Sequence, residues 1–279
     1  METTTTAALD PPNGRPETPL DSLRQKRAVH DRRVVATYHA SARRDFNPTH
    51  QTRYLNIGYW KNGIATLDEA SQELAKLVGE QGNFSSQDCI LDAGCGFGDA
   101  AIFWIRNFRP QRIVAIDINE AEVSTGRQRA AEADLDGVIE FRVASAVEMP
   151  FDDNSFTKVV AMEASHHFLT REDFFREAHR VLKHGGRLVA TDALPLPGRK
   201  ARFINPANAY PADVYASKLA KAGFTNVSIR SIRDNVFKPY SNFLLRQLGL
   251  FNVRGLMNVA LHRFFSAQMD YIVVAADKN

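Results

Sequence analysis

Cysteine is scarce: the chain of 279 residues has two, Cys89 and Cys95. Both lie in or beside one apolar stretch, too close across a turn for a comfortable bridge, so no disulfide framework exists and a reducing compartment is expected. Long apolar runs are missing too. None approaches the ~20 residues of a membrane span, and none follows the N-terminus as a secretory leader requires, so a cytoplasmic protein without an integral membrane segment is expected. A large excess of one charge is absent, since 35 Lys and Arg against 32 Asp and Glu leave a net +3. Arg24, Lys26, Arg27, Arg32, Arg33, Arg43 and Arg44 crowd toward the N-terminus without interleaved aromatics. A solvated helix face accounts for them, and nucleic acid is not expected as a partner. The dinucleotide fingerprint G-x-G-x-x-G is absent from the glycine-rich turn, which argues against a nicotinamide oxidoreductase.

What is present is Ile90-Leu91-Asp92-Ala93-Gly94-Cys95-Gly96-Phe97-Gly98-Asp99, a short apolar strand running into a glycine-rich turn that opens a helix. Glycine lets the backbone take positive φ and approach a ligand closely, and the first free N–H groups of the helix point into the same space. Asp92, before the glycines, would repel a pyrophosphate but could hold an ammonium group. The ligand is therefore expected to carry a cation. Ile113–Ile116 reads as a second buried strand ending in Asp117-Ile118-Asn119, about 20 residues past the turn, where a carboxylate accepts hydrogen bonds from ribose hydroxyls.

Here the sequence resembles the class I S-adenosylmethionine-dependent methyltransferases, whose first motif is a strand followed by D-x-G-C-G-x-G. The resemblance implies that S-adenosyl-L-methionine is the cofactor and S-adenosyl-L-homocysteine the product. It implies that Asp92, Gly94 and Gly96 hold the methionine end, that Asp117 binds the ribose and that Ile118 packs on the adenine. Two positions depart from common members: Ser145 of Ala144-Ser145-Ala146 stands where an aspartate often takes the adenine amino group, leaving the Ala146 N–H to help, and Glu122 replaces a glutamine near the ribose.

The fraction of hydrophobic residues, 44%, with 24% charged, is globular usage that fits one large α/β domain with a cap and leaves no room for a second catalytic domain. Residues 1–19 read as a disordered tail and 20–73 as a helical lid segment. Residues 74–279 read as the methyltransferase domain, with a Phe- and Leu-rich cap insertion at about 236–266 expected to lie over the substrate. Thr66 with Glu69 is a capping box that opens a helix. Strands are expected at Cys89–Asp92, Arg112–Ile116, Ile139–Val143, Phe156–Ala161, Gly186–Thr191, Asn226–Ile232 and Asp270–Ala276, alternating with helices, one of which is expected to end in the Gly185-Gly186 turn. This is a doubly wound, Rossmann-like α/β pattern. The resemblance adds a mostly parallel seven-stranded sheet with an antiparallel last strand.

Catalysis is expected at Glu163-Ala164-Ser165-His166-His167-Phe168, after the fourth strand. Imidazole is suited to take a proton near neutral pH. The segment resembles the E-S-x-H-H-M of sugar and natural-product O-methyltransferases, where the first histidine is a general base assisted by an aspartate ending the next strand. Here those are His166 and Asp192, with His167 the alternative base, Glu163 beside the cofactor and Phe168 beside the substrate. The competing reading is a pair of packed histidines in an enzyme that works by alignment alone. Neither histidine has a His or Glu at i+3 or i+4, so no essential metal is expected. Tyr54, Asn56, Tyr59 and Trp60 resemble the "GYW" lid stretch of sterol, tocopherol and sugar methyltransferases. Tyr59 is expected at the cofactor, and Tyr54 and Trp60 at the substrate. The expected activity is methyl transfer to a hydroxyl of a natural-product, sugar or lipid-like small molecule. Carbon methylation of a sterol, quinone or isoprenoid, nitrogen methylation, and cofactor binding without transfer are the alternatives. Homo-oligomerisation is left open.

Overall fold

The computed structural model describes residues 29–36, 52–199, 204–247 and 253–279; the expected tail and most of the basic N-terminal cluster lie outside them. Chain order begins with helix α1 (29–36) and α2 (Leu67–Gln81), followed by β1 (Cys89–Ala93), α3 (Asp99–Phe108), β2 (Arg112–Asp117), α4 (Glu120–Glu132) and β3 (Ile139–Val143). It continues with β4 (Phe156–Met162), α5 (Arg171–Val181), β5 (Leu182–Pro195), α6 (Ala212–Lys221), β6 (Thr225–Ser231), α7 (Phe237–Gln247), α8 (Val253–Ser266) and β7 (Met269–Asp277). The seven strands form one sheet in the order β3-β2-β1-β4-β5-β7-β6, with β7 antiparallel to both of its neighbours and all other pairings parallel.

Ile113 to Ile116 in β2 are fully buried without alternation, because helices cover both faces of a parallel sheet. The helix starts follow local chemistry. Thr66 accepts from the Glu69 amide while the Glu69 carboxylate accepts from the Thr66 amide, and Asn119 and Thr170 cap α4 and α5. β1 lies between β2 and β4, so the chain reverses its direction of winding there and a cleft opens at the carboxyl ends of these strands.

One boundary differs from expectation. Gly185-Gly186 does not cap α5, which ends at Val181 with Leu182 already extended. The glycines lie inside β5, where pairing with β4 slips between Phe156↔Leu182 and Lys158↔Arg187. The Gly185 amide donates to the Lys278 carbonyl and the Lys278 amide to the Gly186 carbonyl, so the C-terminal strand holds the bulge.

Candidate active site

The cleft holds a cavity of about 1040 Å³. Its floor is the turn from β1 to α3, its sides are the ends of β2, β3 and β4, and its roof is α1 with residues 53–56. Gly94 takes φ +81°, and a Cβ there would lie 2.5 Å from the Ala164 Cβ, so only glycine lets the first turn pass under the segment after β4.

The amides of this turn point inward. Gly94 and Cys95 N–H donate to the Ile116 carbonyl at 2.8 and 3.1 Å, Gly98 N–H donates to the Cys95 carbonyl, and Gly96 N–H donates to Asp117 Oδ2 at 3.1 Å. These turn donors are consumed internally, whereas the helix start, whose first amides are the ones expected to face a ligand, borders the cavity through Asp99 and Ala100. What faces the cavity is negative. Asp92, Asp117 and Glu122 all line it. Burial, followed by repulsion from Asp117, pushes Asp92 up to about 7 and Glu122 up to about 7. Burial also raises Asp117, against the Asn119 and Gly96 N–H groups that stabilise its charged form. Asp92 Oδ2 is buried and meets no donor among the described residues. A buried acceptor without a donor is costly unless a ligand supplies one. An ammonium or sulfonium group fits this donor set, and a phosphate does not.

Ile118, Ser145 and Ala146 also line the cavity, as the resemblance implies. Ser145 Oγ accepts from the Val147 amide at 3.3 Å. Asp99, where a dinucleotide fingerprint has its last glycine, pairs with Arg129 at 2.6 Å and accepts from the Arg53 amide. It thereby ties the roof segment to α3 and α4.

The segment expected to carry catalysis contains a short 3-10 turn, Ser165–His167. His167 and Phe168 line the cavity, whereas His166 lies behind them with its ring 4.0 Å from that of His167. His166 Nδ1 is 2.9 Å from Asp192 Oδ1. Asp192 is fully buried and accepts from Ser165 Oγ, from the Ala193 amide, and from Arg171 through Nε at 2.8 Å and Nη2 at 3.0 Å. Burial alone would raise Asp192, but the Arg171 guanidinium and then the His166 bond overcome it and hold the carboxyl well below its ordinary range. An ionised carboxylate only accepts, so His166 Nδ1 is the donor, which in the neutral imidazole puts the lone pair on Nε2. Every oxygen of Asp192 is engaged, so it orients the imidazole and has no capacity left for a substrate hydroxyl. Burial depresses His167 well below the usual imidazole range, with repulsion from His166 second.

Glu163 lines the cavity with φ +55°, a conformation costing a non-glycine residue about 1–3 kcal/mol. Its amide donates to the Thr191 carbonyl, and its Oε2 accepts from the Tyr271 hydroxyl at 2.7 Å and the Ile57 amide at 3.3 Å. Burial pushes it up to about 7.

Tyr54 and Asn56 line the cavity, but Tyr59 and Trp60 do not. Trp60 is 5% exposed and packs on Phe243 of α7 at 5.1 Å, and the Tyr59 amide donates to the Ala70 carbonyl of α2. Their expected placement over cofactor and substrate is corrected: the chain turns at Gly58, with φ +74°, and past it these two serve the seam between α2 and α7. Likewise no described residue of α7 or α8 lines the cavity, so the expected cap does not form its roof.

Residues 91–190 match the model of a methyltransferase domain family. Over 259 residues the chain is 33% identical to erythromycin 3''-O-methyltransferase of Saccharopolyspora erythraea, covering 81% of this chain and 85% of that protein. The chain belongs to the class I S-adenosylmethionine-dependent methyltransferase family. It is also 38% identical over 143 residues to 27-O-demethylrifamycin SV methyltransferase of Amycolatopsis mediterranei, covering 51% of this methyltransferase and 52% of that one. Its fold is similar to geranyl diphosphate C-methyltransferase from Streptomyces coelicolor A3(2), with a TM-score of 0.70 at 21% identity over 81% of this chain and 91% of that chain. The cyclase SpnF shares the fold as well, with a TM-score of 0.68 at 24% identity over 81% and 88%.

Sequence reasoning missed Arg171, Asn208, Tyr271 and the α1 residues Asp31, Val34 and Val35. Arg171 donates to the Asn208 and Ala193 carbonyls as well as to Asp192. Its signal was available: an arginine at the first position of a helix capped by Thr170, three residues past the Glu163–Phe168 segment.

Proposed function

We propose that this methyltransferase modifies a hydroxyl of a small-molecule acceptor, of natural-product, sugar or lipid-like kind, with His166 as general base. The observation that carries the reading is the His166 Nδ1–Asp192 bond, which fixes the tautomer and leaves Nε2 free to take a proton. Asp92 would hold the ammonium of S-adenosylmethionine and Asp117 its ribose, with Glu122, Ile118, Ser145 and Ala146 around the adenosine and Glu163 beside the methionine end. When bound, that cofactor supplies a methyl group already activated by its sulfonium. The chain's own contribution is alignment, exclusion of water by α1 and residues 53–56, and removal of the hydroxyl proton. Alignment is worth about 7–11 kcal/mol and a positioned base about 10²–10⁴-fold.

The oxygen-methylating relatives support a hydroxyl acceptor. Carbon methylation rested on an aromatic cap over the substrate, and among the described residues none of that cap lines the cavity. A second reading makes His167 the base, favoured by its place in the cavity lining; its depressed basicity argues for His166.

The test is methyl-labelled S-adenosylmethionine with hydroxylated sugars, macrolides, phenols, quinones and sterols, followed by mass spectrometry and repeated with His166→Ala and His167→Ala. We expect label on one oxygen and a loss of about 10²–10⁴-fold in kcat for His166→Ala with cofactor Kd unchanged. Loss confined to His167→Ala would transfer the role to His167, and near-normal turnover in both would remove the general base.

A further inference from the structure

Helix α8 turns the wrong face outward for a soluble helix. Val253, Leu256, Met257, Leu261 and Phe264 recur at i, i+3, i+4, i+8 and i+11, one stripe of an α-helix, and all five are exposed, Val253 at 74%, Met257 at 67% and Phe264 at 64%. The opposite face seats on the fold through buried Val259 and the bond between His262 Nδ1 and Ser241 Oγ of α7.

Charge identifies the occupant. From Asn235 to Met269 the sequence has no Asp or Glu and four Lys or Arg: Lys238, Arg246, Arg254 and Arg263. The remaining 31 Lys and Arg against 32 Asp and Glu sum to −1, so this segment carries the whole positive balance of the chain. Arg233, Lys238 and Arg263 line a groove beside the stripe together with Asp234, Ser241 and Ser266. Among the described residues no carboxylate lies within ion-pair distance of Lys238, Arg246 or Arg263.

We propose that the exposed face of α8 docks the protein on an anionic lipid surface, with Phe264, Met257 and their neighbours entering the headgroup boundary and Lys238, Arg246 and Arg263 meeting the lipid charge. A basic helix with Leu and Phe on its other face lies in the plane of such an interface. No described helix is long and apolar enough to cross a membrane, so the contact is peripheral. A second copy fits less well. The 14 residues of α8 span about 21 Å and offer a face of roughly 200 Å², about a quarter of the ~800 Å² each partner buries in a stable complex. Self-pairing would also bring two cationic surfaces together.

The test is co-sedimentation of the full chain with vesicles of phosphatidylcholine alone and of phosphatidylcholine mixed with phosphatidylglycerol. We expect binding to the mixed vesicles only, weakened by salt. M257E/F264E should abolish it with methyl transfer intact, and each charge removed by Lys238→Gln or Arg263→Gln should weaken partitioning about fivefold. Equal binding to both vesicle types, or binding that survives M257E/F264E, would overturn the proposal. So would sedimentation velocity showing a dimer that the same substitutions dissolve, because the stripe would then be a self-interface.

Discussion

Asp92 and Arg171 are both buried ionic side chains, and they are resolved in opposite ways. Asp92 has an oxygen without a donor and a carboxylate neighbour, so the free protein is destabilised there. Asp92→Asn should raise the melting temperature at pH 8 in the absence of cofactor while weakening S-adenosylmethionine by about 10–100-fold, the loss of a charge-assisted hydrogen bond. A lowered melting temperature with unchanged Kd would remove Asp92 from the site. Arg171 instead neutralises Asp192 and stands 5.3 and 5.5 Å over the rings of Tyr210 and Tyr215. Arg171→Met should cost about 3–5 kcal/mol in chemical denaturation because it strands a buried carboxylate. A loss under about 1 kcal/mol would mean that Asp192 finds other compensation. Asp92, Asp117 and the His166–His167 pair were legible because their neighbours in sequence define their surroundings. Arg171 was not, since its meaning depends on Asp192, 21 residues away on β5.

At the scale of elements, α1 and α2 form the clearest contrast. α2 has a complete capping box and a deeply buried face, whereas none of the described residues of α1 is fully buried. His30 Nε2 of α1 lies 2.7 Å from the His167 carbonyl, and Asp31, Val34 and Val35 line the cavity. Hydrogen exchange should find the α1 amides fast without ligand and protected on adding S-adenosylhomocysteine, with α2 protected in both conditions. Equal protection of α1 throughout would make it a fixed wall. Strand positions were readable from apolar runs punctuated by glycine and caps. The Gly185-Gly186 bulge and the outward turn of Tyr59 and Trp60 away from the cavity were not. Both are set by partners more than 90 residues away in sequence, Lys278 for the glycines and Phe243 for Trp60.

For the whole molecule, the raised carboxyls couple stability to pH. Asp92, Glu122 and Glu163 ionise near the ordinary carboxyl values of 3.8 and 4.5 when unfolded but near 7 when folded. The folded state therefore holds more protons between those values, and its stability falls as pH rises from about 4 to about 7, then levels off. Asp192, held low, works in the opposite sense, its contribution being lost only as pH falls through the ordinary carboxylate range. A melting profile without cofactor should decline from pH 5 to pH 8. Calorimetry near pH 7 should detect protons released when the cationic cofactor enters; a flat profile and no release would contradict the buried-carboxylate account. This coupling was only half visible in the sequence, which located the acids but not their common burial. The inward-turned amides of the glycine turn have a further consequence for life in a cell. ATP and other adenine nucleotides far outnumber the methyl donor there and share its adenosine. A cleft that presents carboxylates and keeps its glycine-turn N–H groups engaged disfavours their phosphate tails, so discrimination against these competitors is achieved at the end of the ligand that differs, and the adenine contacts can remain permissive.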